Sequence, residues 1–320
     1  MEYLNMKYRK LGNSGIDVSV IGHGTWPMGN DFFGDVDESA AIRAIHTSLD
    51  NGVNLIDTAA AYGEDGASEK VVAKAIKGRR NKVVLATKVG VLRFFGQNYV
   101  KCLDPNVMRI ELEMSLKRLG TDFIDLYQIH WPDANHGIEL GLRELVKMKN
   151  EGKIRAIGVS NFTPVQIQTA IDIADIASIQ PPLSLLDRRS TEDGVIALCA
   201  EKGVGVLSYG SIGGGILAGK VEALPISGNE LRGAFYGYYT EPMLSKCREL
   251  VAFLKKIADK RGVHVVEVSI NWVLAQRGVT SALIGATTSE KAIKNTKAAD
   301  WELTNEELKS INAEYGRIMK

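Results

Sequence analysis

The chain has 320 residues, of which 45% are hydrophobic and 24% are charged. This balance is typical of a globular protein and excludes a disordered, coiled-coil or fibrous chain. The 39 basic and 38 acidic side chains leave a formal charge of +1, so the electrostatic signature of a nucleic-acid or anionic-membrane binder is missing. A small neutral or weakly charged partner fits this balance better.

Cysteine content and apolar segments indicate the compartment. The three cysteines, Cys102, Cys199 and Cys247, are too few and too scattered for a disulfide framework, and no C-x-x-C pair indicates zinc or dithiol chemistry. The first residues lack the apolar region of a signal peptide, and no run of about 18 apolar residues occurs. We therefore expect a soluble cytoplasmic protein with no membrane association and no zinc site.

Short β-branched runs alternate with helical patterns along nearly the whole chain. The last helix, Thr304–Ile318, begins with a capping box of Thr304 and Glu307. The predicted strands are Val18–Ile21, Val53–Ile56, Val83–Ala86, Ile124–Tyr127, Ile154–Val159, a weak short strand at Ile179, Val204–Leu207 and Ser281–Ile284. The other predicted helices are Glu38–Asp50, Ser68–Lys77, Val107–Leu119, Ile138–Glu151, Pro164–Ile173, Glu192–Lys202, Glu241–Arg261 and Val265–Gln276.

Eight strand–helix units predict a (β/α)₈ TIM barrel, because alternating elements require parallel strands and the length suits closure. We expect it to be a single domain over residues 1–320. Tyr8 to Asp17 indicates an N-terminal β-hairpin that closes the end of the barrel opposite the active site. An open doubly wound sheet is the alternative, but the first strand leads into Gly22–Pro27 rather than a G-x-G-x-x-G fingerprint.

Four ionisable side chains follow three successive predicted strands. Asp57 and Tyr62 follow the second strand, Lys88 the third and His130 the fourth. Each residue also has an ordinary structural interpretation when it is considered alone. Asp57 could cap a turn, Tyr62 could be an aromatic residue of the rim, Lys88 a solvated charge and His130 a core histidine. Because strand ends converge on one mouth in a barrel, the sequence predicts that the four form a catalytic cluster there.

Several segments resemble the aldo-keto reductase family over essentially the whole chain. They are Gly52–Ala59 with Tyr62-Gly63, Ala86-Thr87-Lys88, Tyr127–Asp133 and Gly158–Phe162. The resemblance implies a barrel that binds NAD(P) and interconverts a carbonyl compound and its alcohol without a metal. The substrate would be an aldehyde, ketone or sugar.

The same resemblance places Asp57, Tyr62, Lys88 and His130 at the positions of a catalytic tetrad. Tyr62 would be the proton donor in reduction and the base in oxidation. Lys88 would ease proton loss from the phenol by stabilising the tyrosinate, and Asp57 would hold the ammonium. His130 would orient the carbonyl oxygen.

Cofactor contacts are also implied by the resemblance. Ser160, Asn161 and Gln180 match the carboxamide-binding positions, and Tyr209 matches the residue stacked on the nicotinamide. Gly210–Lys220 resembles the pyrophosphate loop, in which Gly210 and Ser211 depart from the commoner Ser-Pro. The complete predicted set is Gly24, Thr25, Trp26, Asp57, Ser160, Asn161, Gln180, Tyr209, Ser211, Gly213, Gly215, Lys220, Gly285, Thr287, Lys291 and Asn295.

Two departures from the family pattern concern the choice of nicotinamide. Lys291 stands where Arg or Gln is frequent, and Lys294 replaces the usual Glu. Two lysines attract a 2′-phosphate, although lysine lacks the bidentate fork of arginine. We expect NADP to be preferred moderately with NAD still usable; the alternative is that both lysines are solvated helix charges.

Aromatic residues are expected around the substrate. Trp26, Trp131, Phe94 and Phe95 lie on loops at the mouth, the last two within a long loop from Gly90 to Pro105. Their flat faces suit a sugar, a polyol or an apolar aldehyde, and core packing is the alternative for the two phenylalanines. Two other functions stay open: a non-enzymatic nicotinamide-binding regulatory subunit, and a lyase or aldolase barrel using Lys88 as a Schiff-base amine.

Overall fold

The computed structural model describes residues 6–93, 99–222 and 230–319. In this part of the chain, eight parallel strands close into a barrel in the order β3-β4-β5-β8-β9-β10-β11-β12, with β12 pairing back to β3. The predicted (β/α)₈ barrel is confirmed. The strands are β1 Tyr8–Lys10, β2 Asp17–Ser19, β3 Ile21–Gly24, β4 Leu55–Asp57, β5 Val84–Val89, β6 Val91–Arg93, β7 Tyr99–Lys101, β8 Ile124–Ile129, β9 Ile154–Ser160, β10 Ile176–Gln180, β11 Gly205–Ser208 and β12 Val279–Gly285.

Helices surround the barrel, and the local sequence explains where several of them begin. Asp104 accepts from the backbone N–H groups of Asn106 and Val107 at the start of α3, and the predicted box of Thr304 and Glu307 is present before α12. The helices are α1 Glu38–Asp50, α2 Ala67–Ile76, α3 Pro105–Leu119, α4 Ile138–Asn150, α5 Pro164–Ile173, α6 Arg189–Glu192, α7 Val195–Lys202, α8 Arg232–Tyr236, α9 Met243–Arg261, α10 Val265–Leu274, α11 Ser289–Thr296 and α12 Asn305–Met319.

The main core lies between the barrel and the helix layer. Barrel strands are covered on both faces, which is why their sequences are nearly continuous apolar runs. All six residues of β8 are buried, and Ile45 of α1, Leu145 of α4 and Ile270 of α10 are completely buried against the barrel. This packing fixes the strand ends, and therefore the loops that carry the site.

The N-terminal hairpin closes the far end of the barrel, as predicted. Strands β1 and β2 pair from Tyr8 with Ser19 to Lys10 with Asp17. Between them, Leu11 is fully buried in a second apolar cluster inside the barrel. Gly12 has φ +53°, and a Cβ there would lie 2.4 Å from the carbonyl oxygen of Ala177, so this close approach requires glycine.

Several predicted boundaries are wrong, and one hairpin was not predicted. The predicted helix Glu192–Lys202 begins at Val195, because the separate short helix α6 ends at Glu192. The predicted strand Val18–Ile21 is split, since β2 ends at Ser19 and β3 begins at Ile21. Val18, Val20 and Ile21 are all buried, and so is Ser19 at the break, so an apolar or buried pattern does not reveal the split. The loop from Gly90 to Pro105 contains a second hairpin, β6–β7, which the sequence analysis did not predict.

No helix within the described ranges has the length and apolar character needed to span a bilayer. Cys102, Cys199 and Cys247 are free thiols.

Candidate active site and cofactor cleft

Asp57 and Lys88 form a buried ion pair at the C-terminal end of the barrel. The Lys88 ammonium donates to Asp57 Oδ2 at 2.6 Å and to the Thr58 carbonyl at 2.9 Å. The Lys88 side chain is 1% exposed and that of Asp57 5%. Asp57 Oδ1 accepts from Gln180 Nε2 at 2.8 Å and from Gln128 Nε2 at 3.2 Å. These contacts offset the cost of burying the carboxylate.

Tyr62 and His130 stand beside this pair. Lys88 Nζ lies 4.9 Å from the centroid of the Tyr62 ring. The Tyr62 and His130 rings meet edge to face with 5.7 Å between centroids. Both residues are half-buried and keep part of their surface open to the mouth. The structure therefore brings the four predicted tetrad residues together.

The loop that carries Tyr62 is held by backbone contacts. The Tyr62 N–H donates to the Ala59 carbonyl, and the Ser68 N–H donates to the Tyr62 carbonyl, both at 3.1 Å. The next residue, Gly63, has φ +81°, and a Cβ there would lie 2.4 Å from the Gly29 carbonyl oxygen. Glycine at this position lets the chain pass close to Gly29 and fixes the approach of the phenol.

Burial controls the protonation of the two rings. Dense packing raises the pKa of Tyr62 well above its ordinary value, and the negative charges of Asp57 and Asp31 raise it further. Burial, and then the Lys88 charge, lowers the pKa of His130 well below its ordinary value. At neutral pH the phenol is protonated and the imidazole uncharged. Burial and the two carboxylates set the direction of the Tyr62 pKa, and the stabilisation of a tyrosinate by Lys88 stays a prediction.

The three candidate carboxamide residues form one network below the mouth. Ser160 Oγ donates to the Gln180 carbonyl at 2.7 Å. Asn161 Nδ2 donates to the His130 carbonyl and to Ser160 Oγ, both at 3.0 Å, and Tyr209 donates to Asn161 Oδ1 at 2.9 Å. Asn161 has φ +61°, an uncommon conformation for a residue other than glycine that these bonds hold in place.

A cleft of about 940 Å³ leads from the tetrad across the loops after β11 and β12. Thr25 is buried beneath it, where its hydroxyl donates to the Asp57 carbonyl at 2.9 Å. Gly213 is also buried. The sequence-predicted residues in the cleft wall are Gly24, Trp26, Asp57, Tyr62, Tyr209, Ser211, Gly215, Lys220, Gly285, Thr287, Lys291 and Asn295.

The loop after β11 depends on its glycines. Gly213, Gly214 and Gly215 have φ values of +56°, +66° and +109°, and a Cβ on Gly214 would lie 2.6 Å from the Tyr236 ring. Ser211 Oγ donates to the Ser208 carbonyl at 3.1 Å. The Ser211 hydroxyl is thus engaged by the protein, so this loop offers a phosphate the backbone N–H groups of its glycine run and the Lys220 side chain.

In the described part of the chain, five cationic side chains line the cleft: Lys220, Arg232, Lys255, Lys291 and Lys294. Lys255 and Lys294 each form an ion pair on their own helix, with Asp259 and Glu290. Burial, then the charges of Lys220 and Arg232, lowers the pKa of Lys291, so Lys220, Arg232 and Lys291 lie within electrostatic reach of one another. Such a cluster, with the glycine run, fits the phosphates of a dinucleotide. The sequence analysis did not predict Arg232 as a residue of the cleft. Its guanidinium donates two hydrogen bonds to the Glu230 carboxylate, at 2.8 and 2.5 Å, and both residues belong to a long loop.

The two predicted lysines have different partners. Lys294 forms an ion pair with Glu290 at 2.7 Å, one turn earlier on α11. Lys291 donates to the Thr287 hydroxyl at 3.0 Å. The structure therefore separates a lysine whose charge is compensated from one that adds positive charge to the cleft.

Aromatic side chains gather over Tyr62. Trp26 stacks on Phe32 with 4.6 Å between centroids, lies 5.9 Å from Tyr62, and meets Phe33 and Phe235 edge-on. Phe32 and Phe33 follow β3, so the rule that singled out Trp26 could also have found them.

Trp131 is the other predicted aromatic that the structure describes, and it follows His130 after β8. Trp131 is 36% exposed, and the Lys101 ammonium lies 4.7 Å from the centroid of its ring. Phe94 and Phe95 lie outside the described residues.

The barrel, the four clustered side chains, the glycine loop and the cation-lined cleft together fit an oxidoreductase that uses a nicotinamide cofactor. The family model described as "Aldo/keto reductase family" matches residues 20–315. This chain belongs to the aldo/keto reductase family.

Individual proteins show the same likeness. The chain is 38% identical over 311 residues to aldo-keto reductase YhdN of Bacillus subtilis (strain 168), covering 96% of this chain and 93% of that protein. It is 31% identical over 315 residues to the NADH-specific methylglyoxal reductase of Escherichia coli (strain K12), covering 94% and 95%. The glycerol dehydrogenase AKR11B4 structure from Gluconobacter oxydans matches with a TM-score of 0.87 and 34% identity, covering 99% of this chain and 97% of that one.

Proposed function

We propose that this protein interconverts small aldehydes, ketones or sugars and their alcohols with NAD(P), using Tyr62 as proton donor and acceptor. The observation that carries the proposal is the Lys88–Asp57 pair beneath the Tyr62 ring, with His130 at the ring edge and a cation-lined cleft alongside. The proton donor Tyr62, the Lys88 charge that supports it and the uncharged His130 ring thus lie together at the mouth.

The residues supply acid–base chemistry. When bound, a nicotinamide cofactor supplies or accepts the hydride. Tyr62 holds a proton at neutral pH and gives it to the substrate oxygen as negative charge develops there. The ammonium of Lys88 then stabilises the tyrosinate from the ring face, and uncharged His130 orients the oxygen by a hydrogen bond. In oxidation Tyr62 takes the proton back. The proposed chemistry requires no metal.

The two alternatives fit the site less well. A Schiff-base lyase needs a lysine amine that can reach a carbonyl, whereas Lys88 is 1% exposed and donates to Asp57 and Thr58. A regulatory subunit without activity has no need for a complete tetrad. Turnover that depends on a nicotinamide cofactor separates the proposal from both alternatives.

The substrate class follows from the aromatic residues over Tyr62. Trp26, Phe32 and Phe235 present flat apolar faces, which suit the C–H faces of a polyol or sugar and also an apolar aldehyde. Two relatives are named for glycerol and methylglyoxal, small molecules of this kind.

A panel of polyols, sugars and aldehydes with NAD and NADP in both directions tests the function. We expect a nicotinamide absorbance change with at least one small member. No change with any member, despite cofactor binding, would favour the regulatory subunit.

We further propose that NADP is preferred and NAD usable. Lys291, beside Lys220 and Arg232, supplies the charge that a 2′-phosphate requires. Lysine is a point charge, and the site is partly exposed to water and salt, so the preference should be moderate. The E. coli relative is named as NADH-specific, so a preference of this chain for NAD is the alternative outcome.

Lys291→Ala tests the cofactor preference. We expect the KM for NADP to rise about 2- to 5-fold and that for NAD to stay nearly constant, since partly exposed charge pairs contribute little. Added salt should shrink the difference. Lys294→Ala is the matched control, because Glu290 already compensates that charge. Equal effects of Lys291→Ala on both cofactors would show that Lys291 does not contact the phosphate.

Hydrogen exchange tests whether the loop after β11 covers the cofactor. The Leu231 N–H donates to the Phe32 carbonyl at 3.0 Å, and Phe33 pairs with Glu230 in a short antiparallel β-bridge. These contacts connect the loop after β11 to the loop after β3, beside the cleft. We expect NADP to slow exchange in residues 210–222 and 230–240, because a bound ligand suppresses local opening. Equal exchange with and without NADP would contradict a clamp.

A further inference from the structure

Three metal-ligating side chains meet beside the mouth: Cys102, Asp133 and His136. One ligand atom from each lies within 4.8 Å of the other two. Cys102 directly follows β7, whereas Asp133 and His136 lie between β8 and α4. The residues are far apart in sequence, so the expectation of no zinc site, which rested on local spacing, could not detect this cluster.

The cluster is held in place by the main chain. Asp133 Oδ2 lies 2.6 Å from His136 Nδ1 and accepts from the Leu103 N–H at 3.0 Å. Its other oxygen accepts from the Asn135 N–H at 2.9 Å. The Cys102 N–H donates to the Gly90 carbonyl at 3.1 Å. These bonds hold both segments together and keep the three ligand atoms within 4.8 Å of one another.

Solvent reaches this cluster. Cys102 is partly exposed, whereas Cys199 and Cys247 are buried, and the His136 side chain is 37% exposed. Asp133 forms the buried floor with its side chain 2% exposed. A metal ion therefore has an entry path and a coordination position left for water.

The donor types select the ion. Thiolate, imidazole and carboxylate together suit Zn²⁺ and similar borderline ions, whereas Mg²⁺ and Ca²⁺ require oxygen ligands. We propose that Cys102, Asp133 and His136 form a binding site for a thiophilic divalent cation of the Zn²⁺ class. On binding, the Cys102 thiol proton passes to solvent and the thiolate becomes the ligand.

An ion at this position would connect two parts of the rim. It would join the β6–β7 hairpin to the segment that carries His130 and Trp131. These two parts of the chain already contact each other, because the Lys101 ammonium of β7 lies over the Trp131 ring. This role is separate from the proposed chemistry, which needs no metal.

Titration with Co²⁺ tests the proposal, because a cobalt–thiolate bond gives a charge-transfer absorption that needs no turnover. We expect the band in the wild-type protein, its loss on Zn²⁺ addition, and its absence in Cys102→Ser. His136→Ala should weaken Co²⁺ binding by at least about 10-fold, the effect typical of losing even an outer-sphere partner. Cys199→Ala, which changes a buried thiol, should keep the band.

Two further outcomes bear on the site. Tyr62→Phe should bind Co²⁺ like the wild type, which separates this proposal from the proposed function. The absence of a band in the wild type, or a band retained in Cys102→Ser, would overturn the site.

Discussion

Replacement of Tyr62 with phenylalanine is expected to lower kcat by at least about 10²-fold and to leave the Kd of the cofactor nearly unchanged. General acid catalysis contributes about 10²- to 10⁴-fold, and the substitution removes only the hydroxyl that carries the proton. The ring should keep its contacts with Trp26, Lys88 and His130. Steady-state rates measure the first effect, and a fluorescence titration with cofactor measures the second.

Tyr209→Phe is the matched control for this experiment. It removes the same atom from another tyrosine of the cleft, whose hydroxyl donates to Asn161 at 2.9 Å. We expect Tyr209→Phe to change the KM of the cofactor more than kcat, because the Asn161 network lies on the cofactor side. Turnover of Tyr62→Phe close to the wild-type rate would remove the proposed mechanism.

Replacement of Lys88 with methionine is expected to lower the free energy of unfolding by about 3 to 5 kcal/mol and to abolish turnover. Removing one partner of a buried ion pair leaves an uncompensated charge, and that cost is of this size. Asp57 would keep its bonds from Gln180 and Gln128, which are neutral donors and do not balance its charge. Urea unfolding followed by circular dichroism gives the stability.

The double variant Asp57→Asn with Lys88→Met separates charge from packing. It leaves no buried carboxylate, so we expect it to recover part of the lost stability while turnover stays absent. A double variant no more stable than Lys88→Met would mean that the loss comes from packing rather than from the unpaired charge.

The sequence predicts the barrel and the tetrad because both follow from local patterns. Alternating elements specify parallel strands, and the ends of those strands carry Asp57, Tyr62, Lys88 and His130. The hairpin of β6 and β7 was missed because its strands are short and its pairing joins residues across a loop.

Other features require the folded chain. The sequence analysis treated Lys291 and Lys294 as equivalent cations, whereas the structure distinguishes them, because Lys294 pairs with Glu290 and Lys291 lies beside Lys220 and Arg232. Arg232 belongs to a long loop, and its place beside Lys291 follows from how that loop closes on the cleft. The raised pKa of Tyr62 depends on burial, which no sequence pattern reports.

The transfer of deuterium to the substrate from a reduced nicotinamide cofactor that carries deuterium at both C4 positions tests the central claim most directly. With an aldehyde substrate, mass spectrometry should find one deuterium on the carbinol carbon of the wild-type product and no product above background with Tyr62→Phe. An unlabelled product, or an adduct trapped on Lys88 by borohydride, would contradict the proposed hydride-transfer function.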